Sequence, residues 1–300
     1  MKRLTEIAIF SFNRGGNLRV CVESIQRNAP GIKYTVYDDR SDDPATLEYL
    51  EKISDRVITA PLPKNERHGG LYANMNLALS QADHPFLMTL QDDMQLVRTF
   101  SQDDDEDIER IFNSYPQVGF VSQLFMRGVA IRRYKRRLTR SDKVRAYISP
   151  LDERKNHKLS LAYFDCHIAH VERLNTSGWK YAESEGSNVH QALSKFGPMP
   201  CMADPVAFFC PDVPFYRNRN RRGLSSWLAS RVLGNNVKYL NDLSSQEVIS
   251  LKSRDLSDWP IAEDYLSSPF QSVRKPFTYH DVKARWWLYI LHKIEKKLGY

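Results

Sequence analysis

Little in this chain of 300 residues points to a fold held by covalent or metal cross-links. Its four cysteines, Cys21, Cys166, Cys201 and Cys210, are widely scattered, and no pair has CxxC spacing. That argues against a cysteine-built zinc site and fits reduced thiols in the core or in loops. Long apolar runs are missing too, so no segment has the length to cross a bilayer. The short apolar stretch Ile7–Phe10 behind Lys2 and Arg3 is too brief for the core of a signal peptide and reads as a first strand. On this basis the chain is expected in the cytoplasm or peripheral to the inner face of a membrane. There is no internal repeat and no long low-complexity segment. A glycine-rich phosphate loop is also lacking. Gly15-Gly16 after the first apolar run is a weak match, which disfavours a sugar-phosphate nucleotidyltransferase. The basic runs contain few aromatics, which disfavours a nucleic-acid-binding module.

What the chain does have is charge of both signs, unevenly placed. The formal net charge is +7. Acid concentrates at Asp103–Glu109, and base at Arg132–Arg145, at Arg217–Arg222 and near the C-terminus. Anionic partners such as nucleotide phosphates, acidic glycans or phospholipid head groups suit that balance.

The first hundred residues alternate between two periodicities. Ile7–Phe12, Tyr34–Tyr37, Arg56–Thr59 and Phe86–Leu90 read as strands. Between them, Asn17–Asn28 carries Leu18, Cys21, Val22 and Ile25 on one helical face, and Asp43-Pro44 opens a second helix with an acidic cap and proline at its first position. A third helix follows Gly69-Gly70, with Leu71, Met75, Ala78, Leu79 and Ala82 at helical spacing. This order predicts an α/β fold with a mostly parallel sheet, right-handed crossovers and helices on both faces. Ligands of such sheets bind beyond the C-terminal strand ends. Those ends carry Asn13-Arg14, Asp38-Asp39 and Asp92-Asp93. The last pair is the most telling. Adjacent carboxylates at a sheet rim repel unless a positive group stands against them, and a hard divalent cation that also holds phosphates suits the place. Solvated turn formers are the plainer reading.

Further along the pattern loosens. Glu106–Ser114, Asn188–Phe196 and Lys283–Leu298 read as helices, Val118–Ser122 and Cys201–Phe209 as strands, and Leu161–Ala169 as strand or mixed structure. His167 and His170 near Asp165 invite a zinc reading. A lone His-x-x-His without a third ligand, with its members on opposite faces of a strand, argues against it.

With these pieces in place the chain resembles the family 2 glycosyltransferases, inverting enzymes of the GT-A fold. The resemblance is carried by Ile7–Arg14, Leu18–Ile25, Val36–Asp43, Asn65 with Gly69-Gly70, and Asn76–Leu79 leading into Leu90-Gln91-Asp92-Asp93-Met94. It implies a GT-A catalytic domain over 1–210, its donor half in 1–100 and its acceptor half in 101–210, followed by a basic extension over 211–300. It also implies roles. Asp39, beside Asp38, accepts a hydrogen bond from the nucleotide base; Asn13 and Arg14 flank the nucleotide; His68, Gly69 and Gly70 lie near the diphosphate. Asp92 faces the ribose or an ordered water, and Asp93 is the ligand of a Mn2+ or Mg2+ ion that bridges the diphosphate. The donor is a nucleotide-sugar, most commonly a UDP-sugar, and the acceptor a saccharide or a lipid-linked molecule. The base that deprotonates the acceptor falls at Glu185, with Glu183 next in line. Gly186 departs from the family pattern, which often has Asp there. Trp179 either stacks on an acceptor sugar or belongs to the core.

At the C-terminus Trp287, Ile290, Leu291, Ile294 and Leu298 form one stripe with basic flanks, the composition of a helix that lies on a membrane surface or packs on the catalytic domain. Arg217–Arg222 is placed either as a clamp on a diphosphate or as a solvated loop.

Overall fold

A computed structural model of the chain describes residues 3–59, 70–134, 138–149, 161–217 and 221–298. The elements of the first part are β1 (Thr5–Ser11), α1 (Gly15–Asn28), β2 (Tyr34–Asp38), α2 (Pro44–Lys52), β3 (Val57–Thr59), α3 (Gly70–Gln81) and β4 (Phe86–Gln91). After them come β5 (Met94–Leu96), α4 (Gln102–Ser114), β6 (Phe120–Val121), α5 (Gly128–Tyr134), β7 (Thr139–Arg140), β8 (Ala146–Ile148), β9 (Ile168–His170) and α6 (Val171–Thr176). The remainder comprises α7 (Glu185–Phe196), β10 (Cys201–Met202), β11 (Ala207–Phe209), β12 (Tyr216–Arg217), β13 (Arg221–Arg222), α8 (Leu224–Leu233), α9 (Ser245–Ser253), α10 (Ala262–Tyr265) and α11 (Trp286–Lys297).

The main sheet has the order β3-β2-β1-β4-β9-β6. The strands from β1 to β4 run parallel, and β9 is antiparallel to both β4 and β6. The apolar strands are covered on both faces, as their lack of polar alternation requires. Successive side chains of a strand point to opposite faces. Accordingly Ile7, Ile9, Met88 and Leu90 pack with Leu18, Val22 and Ile25 of α1 and Phe112 of α4. Ala8, Phe10 and Leu87 pack with Met75 and Leu79 of α3 and Phe196 of α7. Trp179 belongs to this second layer and is 4% exposed, so the core takes it and not an acceptor sugar. Helix α2 begins as its sequence predicts: Asp43 accepts a hydrogen bond from the Thr46 amide at 2.9 Å, with Pro44 in the first turn.

Differences from the sequence reading concentrate after β4. The segment before β9 is irregular, and only three residues of it join the sheet. Cys201–Phe209 is split into β10 and β11, which pair with β8 and β5 respectively. Residues after 211 fold onto the sheet domain. Leu240, Leu251, Leu266 and Phe277 share one apolar cluster with Val97, Phe125 and Phe208. His167 is fully buried, its ring nitrogens 2.6 Å from the Phe164 carbonyl and 3.0 Å from the Tyr181 hydroxyl, which is a core histidine and no zinc ligand.

Candidate active site

The turns after β1, β2 and β4 meet at one rim, as parallel strands in register must. Asn13 ties two of them together. It holds a positive φ of 53°, a conformation Asn tolerates better than most residues. Its side-chain oxygen accepts from the amides of Asp42 at 2.8 Å and Asp43 at 3.0 Å, and its amide nitrogen donates to Asp42 at 2.7 Å. Asp38 is absorbed in the same turn. It accepts from the Ser41 amide at 2.8 Å and from the Ser41 hydroxyl at 2.6 Å, and its side chain does not line the pocket described below. Asp39 does line it, and its Oδ1 accepts from the Gly70 amide at the start of α3 at 2.9 Å. Gly70 has a φ of +78°, which glycine adopts without a Cβ clash. His68 and Gly69 lie outside the described residues.

Between these turns is a cavity of about 560 Å³ lined by Phe10–Arg14, Asp39, Asp42, Asp43, Leu71, Asn74, Gln91 and Asp92. Of the acidic doublet, Asp92 lines it and Asp93 does not. Asp92 accepts from the Phe12 amide at 3.1 Å, while its own amide donates to the Phe10 carbonyl at 2.9 Å. Burial pushes its carboxyl pKa up; Arg14 opposes that shift and Asp93 adds to it. Asp93 is 1% exposed and sits behind Asp92. Its Oδ2 is held by the guanidinium of Arg14 and by the Tyr279 hydroxyl, the latter at 2.5 Å. Arg14 also reaches Asp92, Nη1 to Oδ1, at 3.6 Å. Burial works against the charge on Arg14, but Asp92, Asp93 and Tyr279 outweigh it and hold the guanidinium charged. The positive group that the doublet requires is therefore supplied by the chain itself.

Oδ1 of Asp93 is buried and has no hydrogen-bond partner, which leaves one carboxylate oxygen for a cation. His280, which follows Tyr279 in the chain, has a buried Nδ1 without a hydrogen-bond partner, and burial, with Lys283, Arg14 and His292 adding to it, lowers its pKa to about 4, so the imidazole is neutral near pH 7. By donor type the free carboxylate oxygen of Asp93 fits a divalent cation. Among the described residues the cluster whose ligand atoms already converge is another one, Glu6, Asp83 and His84. It lies at the opposite end of the sheet, where Lys33 reaches Glu6 at 2.8 Å and Asp83 at 2.9 Å and balances its charge.

A second cavity of about 450 Å³ adjoins the first, and Gln91 lines both. Its walls are largely apolar: Leu124, Phe125, Met126, Leu161, Phe164, Phe208 and Phe209. At its polar end stand Asp165 and Glu185. Glu185 opens α7 behind the cap Ser184, whose hydroxyl accepts from the Ser187 amide at 3.2 Å. Burial of the Glu185 carboxyl, and then the charge of Asp165, push its pKa up. By surface area Glu183 and Glu185 are both exposed, and of the two only Glu185 lines this cavity. A Cβ at Gly186 would meet open space, so packing does not demand glycine there. It does at Gly15, where a Cβ would come 2.6 Å from the backbone of Thr46. That glycine serves the contact of α1 with α2, and nothing about it requires a phosphate.

Sequence reasoning missed Tyr279 and Asp165. Tyr279 stands 186 positions from Asp93 and no local pattern marks it. It arrives because Val213 pairs with His280 and the Val213 amide donates to the Tyr279 carbonyl at 2.7 Å. Asp165 does carry a signal, an acid among apolar and aromatic residues just before a strand, but not one that local periodicity can rank.

Comparison with known proteins adds the family. The model described as Glycosyl transferase family 2 matches residues 6–174, more than half of the chain. No curated protein matches. Among solved structures the chain is similar to Staphylococcus aureus TarS 1–349 in complex with UDP-GlcNAc, at 16% identity and a TM-score of 0.49, over 84% of this chain and 70% of that one. It is also similar to glucosyl-3-phosphoglycerate synthase from Mycobacterium tuberculosis in complex with Mn2+ and UDP-Glc, at 14% identity and a TM-score of 0.44, over 93% and 86%. Both likenesses are distant. The family match is the decisive finding: this chain belongs to glycosyl transferase family 2 and is a glycosyltransferase.

Proposed function

We propose that the protein transfers a sugar, with inversion, from a uridine diphosphate donor in the first cavity to a hydroxyl of a saccharide or lipid-linked acceptor in the second. The observation that carries this reading is that the two cavities share Gln91, with Arg14, Asp39 and Asp92 lining the first and Asp165 and Glu185 the second. Asp39 accepts a hydrogen bond from a base N–H, a role for an acceptor-only carboxylate. Asp92 faces the ribose. Asp93, through Oδ1, would hold a Mn2+ or Mg2+ ion, which when bound neutralises charge on the departing diphosphate. Arg14, paired with Asp92 Oδ1 and Asp93 Oδ2, supplies fixed positive charge at the same rim.

Inversion needs a single displacement and one base on the acceptor side. Glu185 takes the proton as the acceptor oxygen bonds to the anomeric carbon; the bond from that carbon to the diphosphate oxygen breaks, and its electron pair leaves with the nucleotide. The apolar walls of the second cavity keep water from competing as acceptor. The side chains of the Arg217–Arg222 hairpin lie outside the described residues, and no step is assigned to them.

The reading extends to where the protein works. No described helix is long and apolar enough to cross a membrane. Helix α11 nevertheless presents Trp286, Ile290 and Ile294 to solvent, Trp286 at 75% exposure, with Lys293, Lys296 and Lys297 alongside. An anionic bilayer surface fits that stripe, and it would bring the active site to a lipid-linked acceptor.

The central test is thermal denaturation with UDP, GDP and CMP, each with and without Mn2+. UDP with Mn2+ is expected to stabilise most. A chain that no nucleotide stabilises in any metal would refute the donor assignment.

A further inference from the structure

Helix α3 carries two asparagines, Asn74 and Asn76, in opposite situations. Asn76 is engaged at both polar atoms: its side-chain nitrogen donates to the Tyr181 carbonyl at 3.0 Å, and its oxygen accepts from the Tyr181 amide at 2.8 Å. Asn188 of α7, also buried, is satisfied in the same way by the Ala182 amide at 2.7 Å and the Ala182 carbonyl at 3.2 Å. Asn74 has no such bonds. It is 1% exposed, and neither its Oδ1 nor its Nδ2 has a hydrogen-bond partner. A side-chain amide taken out of water is costly unless it is paired, and nearly all buried ones are paired. Asn is also a poorer helix former than the Leu or Ala that would suit a buried helix position. Folding therefore does not account for this residue.

Its place in the fold does. Asn74 lines the first cavity, as Asp39 does. Gly70, whose amide donates to Asp39 Oδ1 at 2.9 Å, lies one turn before Asn74 on α3. Leu71, three positions before Asn74, lines the cavity as well. Residues three and four apart share one helix face, and each Cα–Cβ bond tilts toward the helix N-terminus. The Asn74 side chain thus leans toward the turn that holds Asp39.

We propose that Asn74 binds the base of the nucleotide donor, its Nδ2 donating to the ring carbonyl next to the N–H that Asp39 accepts. The inference rests on the uridine diphosphate donor proposed for the first cavity. Uracil presents a ring N–H between two carbonyl oxygens. A carboxylate accepts only, so Asp39 can take the N–H but can do nothing for a carbonyl; a side-chain amide supplies the missing donor. Met75, the next residue, is buried in the core beneath the sheet and has no donor to offer. The unpaired amide costs the free chain stability, and the bound base removes that cost.

Asn74→Leu tests this in the full chain. It keeps the branch at Cγ and removes both polar atoms, and the adjoining cavity can take the added volume. Replacing an unpaired polar group by an apolar one is neutral to stabilising, so the melting temperature of the free chain should hold or rise. The UDP dissociation constant, measured by calorimetry with Mn2+, should increase about tenfold. Inorganic diphosphate with Mn2+ has no base, and its affinity should not change. Asn74→Ala, which adds no bulk, should weaken UDP to a similar degree. A lower melting temperature in Asn74→Leu makes the residue structural and overturns the proposal. Wild-type UDP affinity in Asn74→Ala overturns it too, as does an equal loss of diphosphate affinity. Failure of the donor assignment is a separate result, since there the unsubstituted chain would bind no UDP.

Discussion

The donor rim and the acceptor cavity adjoin at Gln91, yet they are built on opposite principles. On the donor side the turns are tied to one another: Asn13 to Asp42 and Asp43, Asp38 to Ser41, Asp39 to Gly70, Asp92 to Phe12, Asp93 to Arg14 and Tyr279. Asp93 Oδ1 and the side-chain amide of Asn74 are left without a hydrogen-bond partner there. On the acceptor side an apolar wall carries the two carboxylates Asp165 and Glu185. The first arrangement links segments distant along the chain and contributes to folding; the second is mostly apolar contact. Substitutions at the donor rim should therefore cost stability and activity together, and those in the acceptor cavity activity alone.

Glu185→Gln should show the acceptor side of that contrast most strongly. Transfer is expected to fall about 10²–10⁴-fold, the usual range for a lost general base, with UDP affinity and melting temperature unchanged. Full transfer in this variant, measured by nucleotide release with acceptor present, removes Glu185 from the base role.

Asp93→Asn probes the donor side. Activity should drop about 10²–10³-fold, and the Mn2+-dependent part of the UDP thermal shift should vanish, as it should for the wild type after chelation. Here stability should fall as well, by about 1–2 kcal/mol, since Arg14 loses its buried ionised partner while remaining partly in contact with water. An Asp93→Asn chain that melts like the wild type would break the comparison.

His167 tests the core between the two sides. Burial, against the opposing Phe164 carbonyl, lowers its pKa from 6.5 to about 4. The folded chain thus binds fewer protons at this site than the unfolded one between those values. The sign follows: stability is complete above pH 6.5 and declines as pH falls toward 4, by about 3 kcal/mol from this residue. Denaturant titrations across that range should show the decline, and His167→Gln should flatten it.

The smallest effect on soluble catalysis belongs to α11. Replacing Trp286 and Ile290 by serine should leave the transfer rate to a soluble acceptor within about twofold, because exposed positions away from a site seldom matter. The same change should abolish sedimentation with anionic vesicles. Retained sedimentation would send the stripe back to a different role.

The periodicity of the first hundred residues was enough for four parallel strands, their crossover helices and the rim on which Asn13-Arg14, Asp39 and Asp92-Asp93 meet. Strand alternation and helix caps are local, and a parallel sheet leaves only one end for the following turns to gather. The same letters could not say which of the clustered acids faces a ligand. Asp38 and Asp39 are adjacent, yet one closes a turn on Ser41 and the other lines the cavity. Trp179 was equally placed between core and site until the packing of Phe120 and Phe196 around it decided for the core.

What the sequence determined by itself, then, is the order of elements, the family and the rim. Tertiary structure decided the charge balance of that rim. The acidic doublet at the end of β4 asks for a positive partner, and the fold supplies Arg14 from the turn after β1, with the Tyr279 hydroxyl, 186 positions from Asp93, donating to the same carboxylate. It also brought Asp165 and Glu185 to one cavity, with the approach to β9 pinned against β4. Both outcomes depend on contacts distant along the chain, whose energy comes from burial and pairing of charge and leaves no trace in local periodicity.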